Sequence, residues 1–182
     1  MSFMFVRQLL YWVTGFLPAR YIDHEGQPYL ERYYVATLPG IRVYVHRFVG
    51  SDPDGVHDHP FRHSLSLILA GWYFEDRLEQ GRLKRRVRRW CNRIGPKDFH
   101  RVVLPGQQDV WTLFLHTARV KPWGFLRPEP TALPGAPARY VDQSRPEDPP
   151  FSQWHRRAPA GRVLRARERL IPLGQAFRPP GG

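Results

Sequence analysis

The run His57-Asp58-His59-Pro60-Phe61-Arg62-His63-Ser64-Leu65-Ser66-Leu67-Ile68-Leu69-Ala70-Gly71 carries two signals at once. His57 and His59 stand at i and i+2. Side chains two apart on an extended chain share a face, so both imidazoles can reach one ion. His63 keeps the same parity if the strand stays regular, with Pro60 between them as a source of a bend. Residues 64–70 then form a short apolar strand, closed by Gly71. His100 follows far along the chain at the start of another expected strand, placed as a third ligand from the opposite wall of a barrel. The alternative is that His57 and His59 only punctuate the polar loop 51–60.

Working outward, residues 29–126 read as a dense series of strands. Ile41–Phe48 alternates, with Ile41, Val43 and Val45 facing one way. Residues 72–75 resume directly after Gly71, as in a tight bend within one sheet. Residues 83–90, 99–104 and 110–115 complete the set, separated by Gly81, Gly95-Pro96 and Pro105-Gly106. Short strands with Gly/Pro turns at this spacing indicate a sandwich or a barrel. Ahead of them, Phe5, Gln8, Leu9 and Trp12 recur at helical spacing, which predicts an amphipathic helix docked on the core through that face, with membrane-surface attachment as the alternative. Twelve of the nineteen prolines lie at or beyond Pro122, so 127–150 reads as an extended wrap, 162–170 as a short basic helix and 179–182 as a frayed end. The expected organisation is therefore an N-terminal helix over 1–20, a barrel over 21–126 and a basic, proline-rich extension over 127–182.

Composition narrows the class. With 182 residues there is room for one domain of common size, and 42% hydrophobic with 14% aromatic residues supports a packed core. Lys and Arg number 28 against 16 acids, a net charge of +12 that favours an anionic partner. The single cysteine, Cys91, excludes an intramolecular disulfide and a cysteine-based zinc site; it suits a reducing compartment, so a cytoplasmic location is expected. Cys91 itself reads as a packed, unreactive thiol. The apolar start is interrupted by Arg7 and Gln8 and is too short to span a bilayer, and it lacks a signal-peptide pattern. No P-loop, dinucleotide fingerprint or G-x-S-x-G elbow is present.

His57-Asp-His59, the strand ending at Gly71, and Gly95-Pro-Lys-Asp-Phe-His100 together resemble the two-motif signature of the cupin superfamily, over roughly residues 40–126. The resemblance implies an all-β, double-stranded β-helix (a jelly-roll barrel) with a metal held by His57, His59 and His100. The glutamate that many cupins carry seven residues before the motif-one glycine is Ser64 here, and Glu75 falls after the glycine, on the expected outside or rim; a three-histidine site without carboxylate is the expectation. Within the superfamily the 57–71 run is similar to the thiol dioxygenases. That likeness implies Thr112 and His116 near the substrate, His116 as a proton relay or orienting group, and an acid-binding arginine among Arg32, Arg42 and Arg47. A thioether crosslink cannot form at Ser64.

Three neutral imidazoles leave Fe(II) its full charge and open positions for a small polar or thiol-containing substrate and dioxygen. The expected activity is a mononuclear Fe(II)-dependent, dioxygenase-like oxidoreductase, with His116 and His63 as candidate catalytic residues and Arg32, Arg47 and Thr112 as candidate substrate contacts. The same ligands suit zinc or nickel and a hydrolase or isomerase. A rival of another class is a non-catalytic binding module using the basic stretch 82–93 for nucleic acid or another anion. Arginine on both faces of that stretch predicts an edge strand. A homodimer is left open.

Overall fold

Gly71 is where the chain changes sheets. In the computed structural model, which describes residues 3–24, 26–52, 55–106, 108–127, 138–143 and 153–169, Gly71 has φ +85°, and a Cβ there would press on the Asp109 carbonyl at 3.1 Å and on Val110 at 3.2 Å. Glycine alone takes that conformation without strain. The turn sends β5 (Ser64–Ala70) into one sheet and β6 (Tyr73–Glu79) into the other, so the expected bend within one sheet is a crossover between two.

The remaining strands follow the same logic. β1 (Ala19–His24), β2 (Gln27–Leu38), β3 (Ile41–Phe48), β10 (Val110–His116), β5 and β8 (Cys91–Ile94) form one antiparallel sheet in that order. β12 (Arg139–Asp142), β11 (Gly124–Arg127), β4 (Val56–His57), β9 (His100–Val103), β6 and β7 (Arg82–Arg88) form the other. From β3 to β10 the chain crosses between sheets at each step except the β6–β7 hairpin, leaving β3-β10-β5-β8 facing β4-β9-β6-β7. This strand order is a jelly roll. β7 is an edge strand and almost wholly exposed, as arginine on both its faces requires.

Alternation on β3 assigns the two faces of its sheet. Val45 packs with Tyr33, Ala70 and Trp111 beneath the N-terminal helix, whereas Arg42, Tyr44, His46 and Phe48 line the cavity within the barrel. The apolar face read from the sequence is thus the helix-covered outer one, and the polar and aromatic face is the interior.

Helix α1 (Phe3–Thr14) docks through Val6, Leu10 and Tyr11. Phe5, Leu9 and Trp12 are exposed, at 52%, 45% and 64%, so the docked face differs from the one the spacing suggested. Val6, Leu10 and Tyr11 also recur at helical spacing, and a helix apolar on two sides gives no unique answer. Within the segment read as a wrap lies β12, and α2 (Gly161–Arg169) returns to α1; the end at 179–182 lies outside the described residues. Cys91 is exposed, against the expectation of a packed thiol.

Arg165 fastens α2. Buried at 6% exposure, it donates from Nη1 to Tyr33 Oη (2.7 Å) and Thr14 Oγ1 (3.2 Å) and from Nη2 to the Tyr11 carbonyl (2.9 Å). Tyr33 donates onward to Glu31, which also accepts from Arg47 at 3.1 Å. Arg47 donates to Asp109 (2.8 Å), and Arg7 of α1 reaches the same carboxylate (2.6 Å). Removing one member strands buried polar partners. Arg165→Ala should therefore lower unfolding free energy by about 2–3 kcal/mol, whereas exposed Arg167→Ala should stay within about 0.5 kcal/mol. Urea denaturation followed by tryptophan fluorescence measures both, and equal midpoints would refute this account of the tail.

Candidate metal centre

Two strands and a loop bring three imidazoles together. His57 of β4 pairs directly with His100 of β9, and His59 lies two residues beyond His57 in the following loop. The third ring therefore comes from the adjacent strand of the same sheet rather than from the opposite wall. Ring centroids are 5.2 Å (His57–His59), 5.0 Å (His57–His100) and 5.1 Å (His59–His100) apart, a near-equilateral triangle. One nitrogen of each ring lies within 4.8 Å of the other two. His59 Nε2 and His100 Nε2 approach to 2.9 Å, and buried His57 Nδ1 has no hydrogen-bond partner. Convergent ring nitrogens with an unsatisfied member are what a cation ligated by imidazole would complete.

A buried carboxylate orients the set. His100 Nδ1 donates to Glu75 Oε1 at 2.9 Å, which fixes the tautomer and leaves Nε2 as the lone-pair nitrogen. Glu75 is fully buried, not on the outside or rim as its place in the sequence suggested. It also accepts from Arg77 Nη2 (2.8 Å), Arg88 Nε (2.7 Å) and Asn92 Nδ2 (2.8 Å). Asp58, between the two ligand histidines, accepts from the Gly124 amide at 2.9 Å and from Lys121, pinning the His-Asp-His segment to β11. Gly124 is required there, since a Cβ would meet the Val141 carbonyl at 2.2 Å. Ser64 donates to the Ile94 carbonyl (2.8 Å).

The cluster opens into a cavity of about 600 Å³. Of the other residues expected near substrate, Arg32 and His116 line it, as does Arg42. Thr112 is fully buried on the same face of β10 but off the cavity wall, its hydroxyl unpartnered. Arg47 lies on the opposite face of β3, held by Glu31 and Asp109 and stacked near Tyr11 and Trp111. His63 is exposed and tied to Thr117 through its backbone, outside the cavity. Sequence reasoning missed Glu75, Tyr44, His46 and Trp154 of the 3-10 turn Trp154–Arg156, the last in the basic, proline-rich extension.

The basic stretch is largely matched by acids on β6. Arg85 is bidentate on Asp76 (2.7 and 2.9 Å), Arg86 reaches Glu79 (2.7 Å), Lys84 reaches Glu79 (3.4 Å) and Arg88 reaches Glu75. What reads as a cationic block is a cross-strand ion-pair ladder.

Burial dominates the electrostatics. It pushes His57 down to about 3 and His116 to about 4, with the neighbouring His100 adding to the shift at His57. Burial and surrounding positive groups, Arg32 among them, also lower His46 and His59 well below the usual histidine value. All four rings are neutral at pH 7, as ligands and proton acceptors must be. Burial alone would raise Glu75, but its bonds from His100, Arg77 and Asn92 outweigh that and hold it below the usual carboxylate range. Asp52 goes the other way, raised by burial to about 6.

In the unfolded chain the histidines take up protons near pH 6.5, while in the folded protein His57 and His116 resist until about 3 and about 4, and His46 and His59 are lowered in the same direction. Stability of the metal-free protein should thus fall as pH is lowered from 6.5 toward 4. Asp52 opposes this between about 4 and 6, since its raised folded value favours the fold on the acid side, but one group does not offset four. Urea midpoints at pH 7, 6 and 5 test the sign; a midpoint constant or rising toward pH 5 would contradict neutral, buried rings.

Neither a family model nor a curated protein sequence matches the chain. Among solved structures, a cupin-2 domain of Rhodospirillum rubrum overlaps 60% of this chain and 74% of its own (TM-score 0.48, 11% identity). A crystal structure of Fe(II) HppE with substrate overlaps 55% and 56% (TM-score 0.46, 10% identity), so the chain spans little more than half of that protein. Oxalate oxidase with the substrate analogue glycolate overlaps 48% and 46% (TM-score 0.40, 16% identity). Such likeness concerns backbone course alone. With β3-β10-β5-β8 laid against β4-β9-β6-β7 and both histidine motifs on adjoining strands of one sheet, the chain has the cupin fold.

Proposed function

We propose that the protein is a mononuclear metal-dependent enzyme acting on a small polar molecule, with Fe(II) and dioxygen as the preferred chemistry. The observation that carries this reading is the convergence of three imidazoles on one point at the wall of a 600 Å³ cavity. His57, His59 and His100 would hold the ion, and Glu75 keeps His100 turned toward it. When bound, Fe(II) supplies redox chemistry toward dioxygen, and zinc or nickel would supply Lewis acidity in its place.

The chain's own residues shape the rest. His116 donates from Nδ1 to the Thr117 carbonyl at 2.7 Å. A carbonyl only accepts, so the proton sits on Nδ1 and Nε2 is left as a proton acceptor. Stacking on Phe61, with centroids 3.6 Å apart, fixes that ring at the cavity wall. His46 is also neutral and accepts from Arg32 Nε at 3.0 Å. Phe48, Tyr73, Val102 and Phe114 form the apolar side of the cavity and limit water. Tyr44 and Trp154 close the other side. No helix among the described residues is long and apolar enough to cross a membrane.

His100→Ala should abolish stoichiometric metal in protein purified without added ions. Glu75→Gln should keep the fold and weaken metal binding by about 10- to 100-fold. Elemental analysis with competitive chelation reads both. Metal content unchanged in His100→Ala would overturn the metal reading. Oxygen uptake that requires iron supports the dioxygenase-like chemistry; stoichiometric zinc or nickel without iron-dependent uptake overturns it.

A further inference from the structure

Helix α1 turns an apolar face to water. Its docked side uses Val6, Leu10 and Tyr11, with Arg7 held by Asp109 and Thr14 by Arg165. The exposed residues are Met4, Phe5, Gln8, Leu9, Trp12 and Val13, and Phe16 in the turn that follows extends them. They recur at i, i+1, i+4 and i+5, so they form one stripe on the side away from the barrel. Met4, Phe5, Trp12 and Phe16 are each more than half exposed, and Gln8 is the one polar member. A helix packed on a globular domain ordinarily carries charge on its outer side; this stripe carries none. Single exposed apolar residues are ordinary, whereas a contiguous aromatic and aliphatic stripe marks a surface that meets something.

Charge borders the stripe at one end and is of one sign. α2 lies against the C-terminal end of α1: the Gly161 amide donates to the Leu17 carbonyl at 2.9 Å and the Arg162 amide to the Gly15 carbonyl at 3.0 Å. The Arg162 guanidinium lies 5.1 Å over the Phe16 ring, and Trp12 meets Phe16 edge-to-face at 5.2 Å. Arg162 and Arg167 are exposed, and neither forms an ion pair among the described residues. No Asp or Glu occurs between Met1 and Ile22. The patch thus joins aromatic rings to cations and offers no acid. Two copies meeting through it would bring arginines together with no counter-charge, on chains that each carry +12. An anionic bilayer surface is complementary in both respects: its phosphates accept the guanidiniums, and its acyl boundary takes the Phe, Leu and Trp side chains.

We propose that α1 is a membrane-docking element. Met4, Phe5, Leu9, Trp12, Val13 and Phe16 seat in the boundary between headgroups and acyl chains of an anionic bilayer, with Arg162 and Arg167 on the phosphates. The opposite face of α1 is held by the barrel, so no helix has to form on binding and the ordering cost is small. At 12 residues α1 is too short to cross a bilayer, and it lies in the plane of the surface. The inference is independent of the metal, since none of these residues lines the cavity.

Co-flotation of the full chain with vesicles of phosphatidylcholine alone, and of phosphatidylcholine with phosphatidylglycerol, tests this. The protein should float with the anionic vesicles and bind the neutral ones about tenfold more weakly or less. Trp12→Ser combined with Phe16→Ser should weaken binding to anionic vesicles by about tenfold or more. Arg162→Gln should weaken it by about threefold to fivefold, while Arg86→Gln, an equal loss of charge on the edge strand β7, should leave it unchanged. These side chains are exposed, so urea midpoints should hold; should the double variant fail to fold, Leu9→Ser should still weaken binding. Failure to float with anionic vesicles would overturn the proposal. So would binding that raised salt abolishes but Trp12→Ser, Phe16→Ser and Leu9→Ser leave unmoved, which is adsorption by net charge alone. Arg86→Gln weakening binding as much as Arg162→Gln would do the same. A lipid-free dimer on light scattering, dispersed by the double variant, would give the stripe to a second copy and also overturn it.

Discussion

A fully buried carboxylate is tolerable only when donors surround it. Glu75 has donors from four strands: Arg77 from its own β6, Arg88 from β7, Asn92 from β8 and His100 from β9. Because β8 belongs to the opposite sheet, this one side chain ties the two sheets together as well as its two neighbouring strands, β7 and β9, within its own. The same oxygen that receives His100 Nδ1–H also receives Arg77 and Asn92. The orientation of His100 is therefore a property of the barrel's polar interior, not a local rotamer choice. Replacing Glu75 with an apolar residue would leave Arg88 without its acid and Arg77 with Asp98 alone at 3.3 Å, so the node is kept or lost as a unit.

The barrel distributes its apolar surface in the opposite sense to a simple core. One cluster, Leu30, Phe48, Tyr73, Val102, Leu104 and Val110, fills the deeper part of the interior. The other, centred on Tyr33, Val45, Ala70 and Trp111, lies outside the first sheet and is sealed by α1 and by Leu164 of α2. The second cluster lets β3 turn Arg42, Tyr44 and His46 inward without forfeiting burial of its alternate residues. The helices thus give the site its room: they supply on the outside the apolar contact that a cavity removes from the inside.

Much of this was readable from period-2 alternation and from histidine spacing. Ile41–Phe48, Ser64–Ala70 and the strand from Val110 stand out because their alternation or apolar run is unbroken. His57 and His59 stand out because the i, i+2 pair runs into an apolar strand closed by Gly71, and His100 because it opens another strand far along the chain. Glu75 did not, because its role depends on register: Arg77 pairs with His100 across β6 and β9, and no local pattern encodes a pairing between separated strands. β4, two residues long, has no periodicity to find. The docked face of α1 was ambiguous because Phe5, Leu9 and Trp12 mimic a buried stripe. The ion-pair ladder of β7 was hidden because a run of arginines shows its charge and not its partners. Trp154 was hidden in a proline-rich context that resembles linker.

Charge and neutrality in the cavity support one another. Burial lowers the affinity of His46 and His59 for protons, and the Arg32 charge lowers it further. A neutral imidazole offers its lone pair to a metal. Arg32 therefore favours the ligating state of a histidine it need not touch.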